Sequence, residues 1–121
     1  MPKKTKAQRK PTINSRQKGA AGERELAEFL RERGYEARRG QQFSGGGDSP
    51  DVVHNLEGIH FEVKRVETLR LYPALAQAKR DAAGKVPIVA HRANNKEWVA
   101  VVSLEELLRL HLLQGAPHHG V

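Results

Sequence analysis

Asp51, Glu62 and Lys64 are the residues whose types and spacing point to chemistry. Glu62-Val63-Lys64 closes the run Ile59-His60-Phe61-Glu62-Val63-Lys64, in which apolar and polar residues alternate. On a strand that alternation sends Ile59, Phe61 and Val63 to one face and His60, Glu62 and Lys64 to the other. Pro50-Asp51-Val52-Val53-His54 precedes it, across a turn-prone linker from Asn55 to Gly58, so the two runs read as a β-hairpin. Two carboxylates held close together on strands repel each other. A hard divalent cation relieves that repulsion, because it takes oxygen ligands and keeps its own waters. A lysine beside such an ion can orient an attacking water or stabilise developing phosphate charge. The plainer reading is an exposed Glu-x-Lys pair with routine cross-strand charges, since short motifs recur by chance.

These residues need an element that can bring a third acid to them. The stretch from Gly19 to Arg33 has helical patterning, an apolar stripe of Leu26, Phe29 and Leu30, and a stop at Gly34. At 100° per residue Glu23 projects toward the stripe, whereas Glu25, Glu28 and Glu32 point toward solvent. Two readings of Glu23 follow. It is either an end-of-helix charge paired with Arg24 or Lys18, or a third carboxylate aimed at the same centre. A strand over Tyr35–Arg39 leads into the loop Gly40-Gln41-Gln42-Phe43-Ser44-Gly45-Gly46-Gly47-Asp48-Ser49. Its glycines serve equally a flexible connector or a phosphate backbone approaching Ser44 and backbone N–H groups. Asp48 rivals Asp51 as the acidic ligand; Asp51 is preferred because it opens a strand, after a proline. The loop lacks the Gly-x-x-x-x-Gly-Lys-Ser/Thr spacing, so no nucleotide cofactor is expected.

Downstream, a second helix is expected over Tyr72–Ala83, with Pro73 in its first turn and Gly84 at its end. Gln77, Lys79 and Arg80 face substrate or solvent, and solvent suits Lys79 and Arg80 better. Val86–His91 reads as a buried strand whose first residues, around Pro87, are not centrally paired. Trp98–Val102 reads as the last strand. Ser103-Leu104-Glu105-Glu106 is a capping box opening a helix to about Leu113. Its leucines exceed one core face, which points either to a dimer contact or to a helix tucked deeply into the core. The order is helix, three strands, helix, strand, strand, helix: a mixed α/β domain with a central sheet.

The 121 residues suffice for one domain. There is no cysteine, which excludes disulfides and thiolate metal sites and agrees with a reducing compartment. No apolar run reaches membrane-spanning length, so no membrane partner is expected. The net charge is +7, and residues 1–18 carry seven basic groups and no acid: Lys3, Lys4, Lys6, Arg9, Lys10, Arg16 and Lys18. The other 14 basic residues balance the 14 acidic ones. Residues 1–17 read as a disordered basic arm suited to a polyanion, or as a solubilising tail. Residues 115–121, with His118-His119, read as a flexible tail.

Lys18-Gly19-x-x-x-Glu23-Arg24, Ser44-Gly45, Pro50-Asp51 and Glu62-Val63-Lys64, in this order, resemble the PD-(D/E)XK nuclease superfamily. Within it they resemble the archaeal-type Holliday junction resolvases, which include phage-encoded relatives. The resemblance implies a restriction-endonuclease-like core over residues 18–114, with a central mixed five-stranded sheet flanked by helices. It implies an intracellular Mg²⁺-dependent endonuclease, with Mn²⁺ as a substitute, that acts as a homodimer on four-way DNA junctions. Asp51 and Glu62 would bind the metal with the Val63 backbone carbonyl, and Glu23 would act through the metal's water shell. Lys64 would position the attacking water, and Ser44 would contact the backbone near the scissile phosphate. Candidate DNA contacts are the seven basic residues of positions 1–18, Arg24 and Gln77. The short span from Asp51 to Glu62 departs from relatives with a longer turn. Two other readings stay open: a PD-(D/E)XK nuclease for nicked or otherwise branched DNA, and a non-catalytic nucleic-acid-binding module.

Overall fold

The computed structural model describes residues 13–40 and 51–115, with side chains of the first helix from Gly19 onward. The elements run α1 (Ile13–Glu32), β1 (Ala37–Arg39), β2 (Val52–His54), β3 (Ile59–Lys64), α2 (Leu71–Asp81), β4 (Val86–His91), β5 (Val99–Val101) and α3 (Leu104–Leu113). Order and type agree with the sequence reading. Helix α1 begins earlier than expected, within the stretch read as a disordered arm. Gly34 ends it with a φ of +94°, a conformation that glycine adopts without strain. Among the described residues, no helix is long and apolar enough to cross a membrane.

Among the described residues the five strands form two sheets, of two and three strands, and not the single five-stranded sheet expected. β1 and β2 pair antiparallel, with Arg39 opposite Val52 and Ala37 opposite His54. β3 pairs parallel with β4, and β4 antiparallel with β5. The expected hairpin of β2 with β3 is therefore replaced by a hairpin of β1 with β2. The hydrogen bonds around the linker give the reason. Asn55 N–H donates to the Glu36 carbonyl, and Glu36 N–H donates to Asn55 Oδ1, both at 3.1 Å. Leu56 N–H donates to His54 Nδ1 at 3.0 Å. The chain leaving β2 is thus tied back to the start of β1. Gly58 then enters with a φ of +81°, and its carbonyl accepts from Val86 N–H at 2.8 Å, which begins the β3–β4 ladder.

Helix α1 lays Leu26, Ala27 and Leu30 on Ala37, Val52 and Ala90, with Phe61 and Val63 packed at the edge. Helix α2 covers the opposite face of β4, where Ala74 and Ala78 meet Val89. Small alanines let the helix sit close to the strand. Glu62 is the register partner of Val89 and so shares this face. The β3 alternation expected from sequence holds, but its polar face lies under α2 rather than in water. Pro87 sits opposite His60, beyond the reach of β5, which pairs only with Val89–His91. The missing N–H of Pro87 therefore breaks no bond to β5. α3 starts at Ser103, whose Oγ accepts from Glu106 N–H at 3.3 Å. The Glu106 carboxylate binds Arg109 at 2.7 Å instead of reaching back, so half of the expected capping box forms.

Candidate active site

Each acidic group is held by a different device. The β1–β2 ladder ends next to Asp51, where Gly40 N–H donates to the Asp51 carbonyl at 2.9 Å. Glu62 lies in the middle of β3, locked between the β4 ladder and α2, with 3% of its surface exposed. Glu23 rides on α1. Its close approach depends on Gly22, where a Cβ would lie 2.7 Å from Arg65 Cβ.

Asp51 feels the charge of the other acids. Its pKa is pushed up to about 6, first by burial and then by the negative charges of Glu23 and Glu62. Asp81 at the end of α2 adds a smaller push, and His60 pulls the other way. Asp51 and Glu62 therefore sit within electrostatic reach of one another and of Glu23. Glu23 Oε1 accepts from Arg39 Nε at 2.8 Å. The partner of Glu23 among the described side chains is Arg39, from the neighbouring strand, and not Arg24; the side chain of Lys18 lies outside them.

The two oxygens of Glu62 face different side chains. Oε2 is 3.7 Å from Lys64 Nζ, and Oε1 is 3.8 Å from His60 Nε2. Both separations exceed a hydrogen bond. Lys64 Nζ instead donates to Gln77 Oε1 on α2 at 3.0 Å. Gln77 thus touches the lysine, while Lys79 and Arg80 are exposed, as is Arg24. Ser44, Asp48, Lys3, Lys4, Lys6, Arg9 and Lys10 lie outside the described residues. Arg16 and Lys18 fall in the first turns of α1.

The donor chemistry fits a hard divalent cation. A half-buried carboxylate whose pKa is raised by two neighbouring carboxylates is stabilised by a positive ion between them. Asp51, Glu62 and the Val63 carbonyl would hold it. Among the described residues, no three acidic or imidazole side chains already stand close enough to enclose an ion. Mutual repulsion keeps such groups apart until a cation draws them together.

Two sets of residues went unnoticed in the sequence. Arg39 was only part of a strand. Glu25, expected in solvent, accepts from Arg65 Nε at 2.9 Å and from Arg92 Nη1 at 2.6 Å. Arg65 also donates to the Arg92 carbonyl at 3.3 Å and to Asn94 Oδ1 at 3.0 Å. This network fastens α1 to the residue after Lys64 and to the β4–β5 turn. No local signal marks it, because its members are far apart in the chain.

A helix bearing Glu23, a strand start bearing Asp51 and a strand bearing Glu62-x-Lys64, gathered on a mixed α/β frame, define a member of the PD-(D/E)XK nuclease superfamily. The sequence model of the archaeal Holliday junction resolvase family matches residues 14–111, and the chain belongs to that family. Its fold is similar to the solved structure of a Holliday junction resolvase from the archaeal hyperthermophile Archaeoglobus fulgidus. The two are 25% identical with a TM-score of 0.51, over 70% of this chain and 72% of the other. No curated protein sequence matches the chain.

Proposed function

We propose that the protein is a metal-dependent, structure-selective DNA endonuclease that resolves four-way junctions by paired nicking as a homodimer. The observation that carries this reading is the match to the resolvase family over residues 14–111, together with Glu23 and Glu62 within electrostatic range of Asp51. A pure DNA binder has no reason to gather carboxylates where phosphates must approach. Family membership supplies the substrate class.

The residues divide the work. Asp51, Glu62 and the Val63 carbonyl would hold Mg²⁺ or Mn²⁺, which supplies charge neutralisation at the scissile phosphate. Lys64, steadied by Gln77, holds the attacking water by its ammonium protons and faces the negative charge that grows on phosphorus oxygens. Arg39 holds Glu23, which would act through the metal's water shell. Ser44 contacts the DNA backbone beside the cut. The basic groups of residues 1–18, with Arg24, bind phosphates, so affinity falls steeply with salt. Leu104, Leu107, Leu108, Leu112 and Leu113 of α3 are exposed, and they support a second copy covering that helix. A two-fold dimer presents two centres to the two strands of a symmetric junction.

The test is a cleavage assay on a four-way junction, a flap and plain duplex, each with and without Mg²⁺. Paired nicks confined to the junction are expected. Glu62→Ala should abolish cleavage and leave junction binding largely intact. Equal cutting of all three substrates would replace junction resolution with a general branched-DNA or nicking activity. No cutting at enzyme excess would leave only a binding module.

A further inference from the structure

His60 stands two residues before Glu62 on the same face of β3. Its side chain is only 10% exposed, and its Nε2 has no hydrogen-bond partner among the described residues. A buried polar atom without a partner costs free energy and calls for an explanation. The nitrogen is aimed at the acidic centre, with Glu62 Oε1 3.8 Å away. That gap is too long for a hydrogen bond. Adjacent ligands about 2.1 Å from one octahedral ion stand about 3.0 Å apart, so ring and carboxylate would need to close by less than an ångström to share a cation. The other Glu62 oxygen faces Lys64, so a cation between Oε1 and Nε2 leaves the lysine on its own side.

We propose that His60 supplies a nitrogen ligand to the cation held by Glu62, and that it biases the centre toward Mn²⁺ over Mg²⁺. This rests on the cation centre of the proposed function and adds a ligand to it. Mg²⁺ demands oxygen donors and dehydrates reluctantly, whereas imidazole suits borderline transition ions. Asp51, drawn in by the ion, would complete the set. His60 also lies within electrostatic range of Asp51.

The experiment loads the full chain with Mn²⁺, without DNA, and records pulsed electron paramagnetic resonance for the ¹⁴N modulation of a coordinated imidazole. The modulation is expected in the wild type, lost in His60→Gln and retained when His118 and His119 are both changed to Ala. His60→Asn serves if the Gln variant does not fold. Mn²⁺ affinity in His60→Gln should fall by roughly ten-fold or more, the scale seen when metal surroundings lose a partner, with a much smaller loss for Mg²⁺ measured by competition. Glu62-dependent Mn²⁺ binding without nitrogen modulation would overturn the role of His60 and leave the carboxylate centre standing. Mn²⁺ binding that ignores Glu62→Ala would overturn the centre itself. A nitrogen signal in a protein that leaves junctions uncut would keep His60 as a ligand and remove the assigned activity.

Discussion

Gly22→Ala and Gly19→Ala place the same methyl group three residues apart on α1, with opposite expected results. At Gly19 a Cβ meets nothing within 4 Å. There alanine gains its full advantage over glycine in a helix interior, about 0.8–1 kcal/mol. At Gly22 the Cβ lies 2.7 Å from Arg65 Cβ, 3.5 Å from Arg65 Cγ and 3.7 Å from Val63 Cγ1. Arg65 Cβ is fixed to the backbone and cannot swing away. Restoring ordinary carbon contact of about 3.5–4 Å moves α1 off β3 by roughly 1 Å. Overpacking of this kind costs about 1–3 kcal/mol, so after the helix gain Gly22→Ala is destabilised by roughly 0–2 kcal/mol. The two variants should differ by about 1–3 kcal/mol, read as urea midpoints at fixed protein concentration. A displacement of Glu23 by that much should also cut junction cleavage by on the order of 100-fold, while Gly19→Ala cleaves normally. Equal stabilisation of both variants would refute the close approach of α1 to Arg65. A neutral Gly19→Ala would instead argue that the helix begins near residue 18 and not at Ile13.

Asp51 gives a pH signature. Its folded pKa of about 6 lies above the unfolded value of 3.8, so the folded state binds the extra proton and stability falls as pH rises through that window. Because Asp51 is only half-buried, the full shift is discounted for solvent to about 1 kcal/mol. Asp51→Asn should therefore be more stable than wild type at pH 7.5 by that amount, with the gap closing below pH 4; a gap unchanged across pH would contradict the upward shift caused by burial and the neighbouring carboxylates. Mg²⁺ should raise the melting temperature of wild type and not of Asp51→Asn. Glu25→Ala removes the carboxylate shared by Arg65 and Arg92 and leaves Arg65 only the Glu67 carboxylate at 3.7 Å; it should cost roughly 1–2 kcal/mol in urea unfolding, between exposed and buried ion pairs. Changing Leu108 and Leu112 to Glu should yield monomers by sedimentation, and junctions nicked on one strand at a time; an unchanged dimer would remove α3 from the interface.

The difference between what the chain disclosed and what it withheld follows sequence separation. The faces of β3 were legible because alternation is a property of neighbouring residues, and so were Gly34 at the end of α1 and Ser103 at the start of α3. Pairing was not legible: Val52-Val53 has the composition of a strand for either neighbour, and the choice fell to Asn55, whose two bonds to Glu36 cross 19 positions. The same holds at the site. A helical projection sorts residues by the faces of their own helix, so Glu25 looked solvated; its partners lie 40 and 67 residues further along. Glu23 was placed on the inward side, yet Arg39, which holds it, could not be chosen from the other arginines without β1 in position. The residues proposed to carry the chemistry are recognisable because phosphoryl hydrolysis would restrict their types. The residues that aim them are restricted only by geometry: Gly22 by the room left beside Arg65, Gln77 by the reach of Lys64, Glu25 by two arginines arriving from elsewhere. Many side chains satisfy such geometric demands in different folds of the chain, so no short pattern announces them. The centre is therefore as much a product of α1 docking on β3 as of the motif itself, and this is why a single methyl group at Gly22 is expected to disturb it as surely as the loss of a carboxylate.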